Sequence, residues 1–282
     1  MRRLPRVAEV RDFVAAARAG GKRVGFVPTM GFLHEGHLRL VDEARSRADV
    51  VVMSIFVNPL QFGPTEDLSR YPRDLEGDAA KAEARGVDAL FIPEAQEIYP
   101  ETPRVVVSPR ALAARWEGAA RPGHFEGVLT VVAKLFNIVQ PHVAVFGQKD
   151  IQQATLVRAM VRDLDMPVEV VISPTVREAD GLAMSSRNTY LDARGRERAL
   201  ALSGALRAVE TAHRSGERSA TKLEEIARAH LASAGIEEVD YVAVADPNTL
   251  EPLVHAEGGA IVALAARIGR TRLIDNVILG SP

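Results

Sequence analysis

The stretch Pro28-Thr29-Met30-Gly31-Phe32-Leu33-His34-Glu35-Gly36-His37 lies between an apolar run, residues 24–27, and a helix-patterned segment that begins near Leu38. This order predicts a strand that ends in a glycine-containing loop, which leads directly into a helix. A helix N-terminus presents unpaired N–H groups and the positive end of the helix dipole, so it attracts phosphate. Glycine allows close backbone approach to a ligand, and imidazoles add hydrogen-bond donors near neutral pH. We therefore interpret this stretch as a triphosphate site.

The composition excludes several functional classes. The chain has 282 residues, of which 47% are hydrophobic, enough for one large domain or two moderate ones. A net charge of −2 disfavours a general binder of nucleic acid or of anionic membranes. The lack of cysteine excludes disulfides, thiolate catalysis and cysteine-ligated zinc. No signal-peptide pattern and no bilayer-length apolar segment occur, so we expect a cytoplasmic enzyme with no membrane or nucleic-acid partner.

Strand-like and helix-like segments alternate in the first part of the chain, which predicts an α/β fold with a Rossmann-like parallel sheet. The predicted strands are residues 23–28, 50–57, 89–92, 104–107, 143–146 and 168–172. The predicted helices between them are residues 38–48, 74–85, 126–139 and 152–164. Ligands of such sheets bind beyond the carboxyl ends of the strands, so the loops at that edge are the candidate site.

The composition changes near Ser173-Pro174-Thr175-Val176. Two helical patterns follow, at residues 194–214 and 221–234, and then three strand patterns at 239–245, 260–266 and 272–279. Helices followed by clustered strands predict a smaller α+β C-terminal domain. We expect a Rossmann-like nucleotide-binding domain at 1–176 and a lid domain at 177–282, hinged near residues 173–177.

The two histidines of the first motif have more than one explanation. A zinc-protease motif needs histidines four positions apart on a helix, whereas His34 and His37 are three apart with Gly36 between them. The histidines could also be ordinary loop residues that bond to the backbone. The preceding strand, the glycines and the following helix favour phosphate binding. Neither common phosphate loop is present, so ATP would have to bind by another scheme.

A second motif, Phe146-Gly147-Gln148-Lys149-Asp150-Ile151-Gln152-Gln153, occupies the same architectural position, between a predicted strand and a predicted helix. Lys149 could place a point charge on phosphate, and Asp150 could cap the helix. Taken alone, an ordinary helix start with a solvated lysine explains this motif better.

Three further loops carry polar side chains. Met184-Ser185-Ser186-Arg187-Asn188 could clamp phosphate oxygens, although an ordinary interdomain loop is the simpler explanation. Asn58-Pro59-Leu60-Gln61-Phe62-Gly63 leaves the most apolar strand and brings Gln61 to the carboxyl edge, either for substrate or as a turn residue. Arg121-Pro122-Gly123-His124-Phe125 could close over the site or only start a helix.

Together these motifs resemble the pantothenate synthetase family, also called the pantoate–β-alanine ligases. The matching segments, in family order, are Pro28-Thr29-Met30-Gly31 with His34-x-Gly36-His37, Asn58-Pro59-x-Gln61-Phe62, Arg121-Pro122-Gly123-His124-Phe125, Gly147-x-Lys149-Asp150-x-Gln152-Gln153 and Met184-Ser185-Ser186-Arg187-Asn188. The His-x-Gly-His element alone marks only the wider nucleotidyltransferase superfamily, which includes class I aminoacyl-tRNA synthetases. The joint set is far more specific. Gln148 and Ile151 depart from the family pattern, where Glu and Tyr are more usual.

The resemblance implies that ATP joins pantoate to β-alanine through a pantoyl-adenylate, with release of AMP and pyrophosphate. It implies Mg²⁺ held mainly by the ATP phosphates, no protein metal cage, and a homodimer. The implied catalytic residues are His34, His37 and Lys149. The implied ATP-binding residues are Met30, Gly31, Phe32, Leu33, His34, Glu35, Gly36, His37, Gly147, Gln148, Lys149, Asp150, Val176, Met184, Ser185, Ser186 and Arg187. The implied substrate-binding residues are Gln61 and Gln153 for pantoate, with Asn58 and Arg121.

Two other functions share parts of this pattern. A cytidylyl- or adenylyltransferase would leave the nucleotide on its product, whereas the ligase would release free AMP. A nucleotide-sensing module would bind ATP without turnover. A class I tRNA synthetase is disfavoured because the chain shows neither an anticodon-binding extension nor a broad basic face.

Overall fold

The computed structural model describes residues 1–64, 66 and 68–280. The chain divides into two compact units. The first consists of Met1–Gly147 with Leu156–Pro174, and the second consists of Gln148–Thr155 with the chain from Thr175 onward.

A parallel sheet of six strands is the centre of the first unit. Its strands are β1 (Arg2–Leu4), β2 (Val24–Thr29), β3 (Val50–Ile55), β4 (Ala89–Phe91), β5 (Val143–Gly147) and β6 (Glu169–Ser173). Their order is β1-β4-β3-β2-β5-β6, and every neighbouring pair is parallel. The predicted α/β fold with a Rossmann-like sheet is confirmed. Val51, Val52 and Met53 of the central strand β3 are fully buried, as expected for a strand covered on both faces.

The helices up to the end of the first unit are α1 (Val7–Ala19), α2 (Glu35–Arg45), α3 (Leu75–Ala84), α4 (Ala95–Ile98), α5 (Glu117–Ala120), α6 (His124–Val139) and α7 (Ile151–Asp163). Helices α2 and α3 share one core with strands β2 to β5, to which they contribute Val41 and Ala44, and Ala79 and Ala82. This packing brings α3 next to the segment that connects β2 to α2, which is the first motif of the sequence.

Two parts of the first unit differ from the sequence prediction. Residues 104–107 are not a strand, so that prediction is wrong: Val105 and Val106 are 86% and 42% exposed. A β-branched run has strand propensity, but propensity alone does not supply a pairing partner. The N-terminal β1 and α1 were not predicted. Strand β1 pairs with β4 and buries only Leu4, so it is too short to produce a periodic pattern.

The second unit has helices α8 (Ala193–Arg214) and α9 (Ala220–Ser233) and strands β7 (Val239–Ala245), β8 (Ile261–Ile268) and β9 (Thr271–Ile278). The strands form an antiparallel sheet in the order β7-β8-β9. Leu202 and Leu206 of α8, Leu223 of α9, and Val262 and Leu264 of β8 share one apolar core. The smaller α+β domain is therefore confirmed as a fold. Its predicted bounds, 177–282, and its role as a lid stay predictions.

A membrane-crossing helix, which needs both length and apolar character, does not occur in the described part of the chain.

Candidate active site

Both strand-to-helix junctions of the sequence start from the same edge of the sheet. Strands β2 and β5 are adjacent and parallel, with Gly25 opposite Val143 and Phe26 opposite Ala144. Their last residues, Thr29 and Gly147, therefore lie at the carboxyl edge. This is the edge at which open α/β sheets bind their ligands.

The loop after β2 has a backbone conformation that requires a glycine. The Thr29 hydroxyl donates to the Ser54 carbonyl at 2.7 Å and accepts the Gly31 N–H at 3.2 Å. Gly31 has a φ of +84°, and a Cβ there would lie 2.9 Å from Cγ2 of Ile55. The next residue, Phe32, also has a positive φ, +52°. A side chain at position 31 would meet both backbone strain and a steric clash.

A buried carboxylate from α3 holds this loop. Asp78 is 1% exposed; its Oδ2 accepts the Phe32 N–H at 2.7 Å and its Oδ1 accepts the Leu33 N–H at 2.6 Å. Lys81, one turn further along α3, donates to the Leu33 carbonyl at 2.9 Å. Hydrogen bonds to a charged group are stronger than neutral ones, so Asp78 stabilises the positive φ of Phe32. Sequence reasoning missed Asp78. The available signal was an acidic residue next to Ala79 on the buried face of a predicted helix.

The two histidines lie together at the start of α2. His34 is the N-cap residue, and its ring centroid is 4.1 Å from that of His37, with the ring planes 34° apart. The His34 N–H points to Nδ1 of His37 at 3.4 Å. The carboxylate of Glu35 pairs with Arg85 at 2.5 Å. The imidazoles and the N–H groups at the start of α2 can serve as phosphate donors.

Asn58 orients the predicted pantoate residue Gln61. Asn58 is 1% exposed; its Nδ2 donates to Gln61 Oε1 at 3.1 Å and to the Gly127 carbonyl at 3.0 Å, and its Oδ1 accepts the Tyr99 hydroxyl at 2.9 Å. Gln61 Nε2 lies 3.2 Å from Sδ of Met30. The predicted pantoate residue therefore contacts the loop predicted to bind ATP.

The backbone of Gln61 is held by a neutral histidine. Arg121 forms a bidentate ion pair with Glu66, at 2.8 and 2.6 Å, and its Nη1 lies 3.0 Å from Nε2 of His124. Burial, and then the charge of Arg121, lower the pKa of His124 from 6.5 to about 4. His124 is therefore neutral at pH 7, so Nε2 accepts from Arg121 and Nδ1–H donates to the Gln61 carbonyl at 2.8 Å. A substrate contact by Arg121 stays a prediction, because its guanidinium is engaged by these neighbours.

The remaining predicted ATP residues belong to the second unit, except Gly147. Gln148–Asp150 is a short 3-10 helix in which Lys149 Nζ lies 3.7 Å from Oδ2 of Asp150, and the Lys149 side chain is 20% exposed. Gln153 follows in α7 and is partly buried.

The segment from Val176 to Arg187 folds back on itself. The Met184 N–H donates to the Val176 carbonyl at 3.0 Å. The Ser185 hydroxyl accepts the Arg187 N–H at 3.3 Å and caps the short 3-10 helix Ser186–Tyr190. The structure thus brings the predicted members of this segment together.

No three His, Asp or Glu side chains within the described residues are grouped as a metal site would require. The donors are imidazole, ammonium, guanidinium and hydroxyl groups, which suit phosphate oxygens better than a cation.

The sheet, the carboxyl-edge loops and the His-x-Gly-His helix start define a nucleotide-binding α/β protein of the nucleotidyltransferase type. Within that class, the chain belongs to the pantoate–β-alanine ligase family, whose sequence pattern matches residues 2–278. The resemblance recognised from the motifs is therefore confirmed.

Relatives and solved structures agree with this assignment. A pantothenate synthetase from Pelotomaculum thermopropionicum is 54% identical over 274 residues, covering 97% of each chain. The crystal structure of pantothenate synthetase from Thermus thermophilus has a TM-score of 0.93 at 50% identity and covers 99% of both chains. The pantoate–β-alanine ligase of Francisella tularensis, solved with beta-gamma ATP and β-alanine, has a TM-score of 0.83 at 33% identity, covering 100% of this chain and 99% of that one.

Proposed function

We propose that this protein ligates pantoate to β-alanine with ATP, through a pantoyl-adenylate, and releases AMP and pyrophosphate. The observation that carries the proposal is the contact between Gln61 and Met30, which joins a candidate acid-binding amide to the His-x-Gly-His loop. Similarity over nearly the whole chain to ligases, one of them solved with beta-gamma ATP and β-alanine, supports the same reaction.

The first half-reaction needs alignment and charge neutralisation more than it needs a base. The carboxylate of pantoate is already ionised at pH 7 and can attack the α-phosphorus directly. His34 and His37, at the N-terminus of α2, are suited to donate to the phosphates. Lys149 and Arg187 would add positive charge, and Ser185 and Ser186 would add hydroxyl donors.

Gln61 is suited to orient the carboxylate without weakening it as a nucleophile. Its Oε1 accepts from Asn58 and one N–H of its Nε2 points to Met30 Sδ, so the second N–H of Nε2 can donate toward a substrate oxygen. A neutral amide donor orients pantoate without a full positive charge, whereas an arginine would stabilise the carboxylate and lower its reactivity. Gln153 would supply a second neutral amide.

The second half-reaction begins with the amine of β-alanine, which is mostly protonated at pH 7 and must lose a proton before it attacks. His37, a phosphate oxygen and water are the candidate acceptors. Mg²⁺ would accompany ATP and neutralise phosphate charge, held mainly by phosphate oxygens and water. A closed site would protect the mixed anhydride from hydrolysis, and we assign that shielding to the second unit as a lid.

Two further properties are part of the proposal: the oligomeric state, which the family resemblance implies, and the cellular location. We expect a homodimer, and we expect the enzyme in the cytoplasm. Sedimentation of the purified protein at micromolar concentration tests the first, and fractionation of the source cells tests the second.

Pantoate-dependent exchange of labelled pyrophosphate into ATP, measured without β-alanine, tests the adenylate directly. We expect exchange only when pantoate is present. We also expect stoichiometric release of free AMP once β-alanine is added. A folded protein that shows no exchange would refute the intermediate. A nucleotide conjugate as product would identify a nucleotidyltransferase, and ATP binding without turnover would identify a nucleotide sensor.

A further inference from the structure

Two consecutive residues of β9, Asp275 and Asn276, are buried polar side chains that the proposed chemistry leaves unused. Each is 2% exposed. Successive side chains of a strand point to opposite faces, so the two residues have different surroundings. Burial of a polar group is costly unless it is hydrogen-bonded, so the partners of these two side chains indicate what the burial achieves.

Asn276 uses its side chain to hold the turn that carries Lys149. Its Nδ2 donates to the carbonyls of Gln148 and Lys149, both at 2.9 Å. The Gln148 side chain returns a hydrogen bond from Nε2 to Oδ1 of Asn276 at 3.2 Å. The amide thus binds two successive carbonyls of the short 3-10 helix, which fixes the backbone from which the Lys149 side chain extends.

Asp275 holds the base of the second segment. Arg177 forms a bidentate ion pair with it, Nη1 to Oδ2 at 2.6 Å and Nη2 to Oδ1 at 3.0 Å. The same Nη1 donates to the Gly181 carbonyl at 3.2 Å, and Arg177 forms a β-bridge with Ala183. Met184 follows that bridge directly. The ion pair therefore fixes the two-stranded base from which Met184–Arg187 continue.

We propose that Asp275 and Asn276 are a positioning pair, which sets Lys149 and the Met184–Arg187 segment in register with each other for one nucleotide. The inference rests on the proposed function, because it assumes that both segments bind ATP. Consecutive Cα atoms are about 3.8 Å apart and rigidly linked. Both segments are thus anchored at one point of a strand, and β9 packs against both of their short 3-10 helices.

Each of the two β9 side chains has the hydrogen-bonding groups that its segment requires. The turn at Gln148 and Lys149 presents carbonyl oxygens, which require a donor, and an asparagine amide supplies two N–H groups. The Arg177 guanidinium requires a planar pair of acceptors, which a carboxylate supplies. An exchange of the two residues would leave net charge and composition unchanged but would give each segment the wrong partner.

Asn276→Asp is the decisive variant, since it keeps side-chain volume and replaces the two N–H donors by an oxygen that repels both carbonyls. Asn276→Ala and the exchanged pair Asp275→Asn with Asn276→Asp accompany it. The matched control is His213→Ala, which removes a different buried hydrogen bond of the same unit, from His213 to the Ala256 carbonyl at 3.0 Å. Each variant is assayed by pantoate-dependent pyrophosphate exchange, with separate KM values for ATP and pantoate, and by thermal unfolding.

The expected result is a KM for ATP raised about tenfold or more and a reduced kcat in all three β9 variants. Their KM for pantoate should stay within about twofold of the wild type, and His213→Ala should change neither KM. A wild-type KM for ATP in folded Asn276→Asp overturns the proposal. An equal rise in the KM for ATP in His213→Ala, at a Tm similar to that of the β9 variants, also overturns it, because the effect would then be general destabilisation. A wild-type enzyme without exchange would instead refute the proposed function, so the two failures are distinguishable.

Discussion

The two strand-to-helix junctions of this protein look alike in sequence, but the structure anchors them in different ways. The loop after β2 is held by Asp78, a carboxylate 46 residues away from Phe32 in the same unit. The turn after β5 is held by Asn276, a neutral amide that lies 128 residues after Gln148 along the chain. Both residues belong to the second unit. The difference follows from the backbone groups that each junction presents. The first presents N–H groups and needs an acceptor, whereas the second presents carbonyls and needs a donor.

Loss of the Asp78 anchor and loss of the Asn276 anchor should lower the stability of the protein by different amounts. Hydrogen bonds to charged groups contribute about 1.5–3 kcal/mol each, whereas neutral ones contribute about 0.5–1.5 kcal/mol. The charged anchor also stabilises a non-glycine residue with a positive φ. We therefore expect the first junction to depend on its anchor for stability as well as for activity, and the second junction to depend on it mainly for nucleotide affinity.

The largest effect is expected for Asp78→Ala. The variant leaves two buried N–H groups without their carboxylate, so the free energy of unfolding should fall by about 3–6 kcal/mol. Pyrophosphate exchange should fall by about a hundredfold or more, because the loop of His34 is no longer fixed. Urea denaturation and the exchange assay are the measurements. The control is Glu76→Ala on the same helix, because the exposed carboxylate of Glu76 pairs only with Arg3 among the residues described. An equal loss of stability and exchange activity in Glu76→Ala would contradict a specific role of Asp78 in holding the loop.

The next largest effect is the pH dependence of stability that His124 causes. This histidine is neutral at pH 7 and donates to the Gln61 carbonyl. Its folded-state pKa, about 4, lies below the usual 6.5, so protonation favours the unfolded chain. The contribution of His124 to stability should be complete above pH 6.5 and should be lost as the pH falls toward 4, by about 3 kcal/mol in total. His124→Gln should remove that part of the pH dependence. Unfolding measured from pH 7 to pH 4 on both proteins tests this, and parallel curves would contradict it.

His37→Ala and Lys149→Ala compare the chemical groups of the two junctions directly. Each variant should slow adenylation by about a hundredfold, because each removes a donor to charge that develops on the phosphates. Stability should change little, and single-turnover release of pyrophosphate is the measurement. Lys222→Ala serves as control, since this exposed lysine pairs with Glu217. Near wild-type release in both variants would remove these residues from the mechanism.

The smallest effect is expected for Gln61→Arg, which adds a positive charge where a neutral amide is proposed to orient pantoate. The first half-reaction should slow by about tenfold, while pantoate affinity is kept or increased. Gln61→Met is the steric control, because it removes the amide without adding charge. Pyrophosphate release that is unchanged or faster in Gln61→Arg would contradict the role of a neutral amide.

Most elements of the fold could be predicted because they leave a periodic pattern in the sequence. The strand predicted at 50–57 corresponds to β3, Val50–Ile55, and the helix predicted at 74–85 corresponds to α3, Leu75–Ala84. Residues 104–107 include three successive valines but form no strand, and Val105 and Val106 are exposed, so this pattern misled the prediction. The short β1 was missed because three residues are too few to produce a pattern.

The sequence by itself determined the order of most elements from β2 onward, the loops at the carboxyl edge and the family. These depend on local periodicity and on motif spacing, which are both properties of nearby residues. Only the tertiary structure identified Asp78, His124 and Asn276 as anchors. Their partners lie 46, 63 and 128 residues away along the chain, and all three residues are buried. Neither property can be read from nearby residues. A polar residue inside a helix or strand pattern gains a role only when packing excludes water and leaves one hydrogen-bond partner within reach.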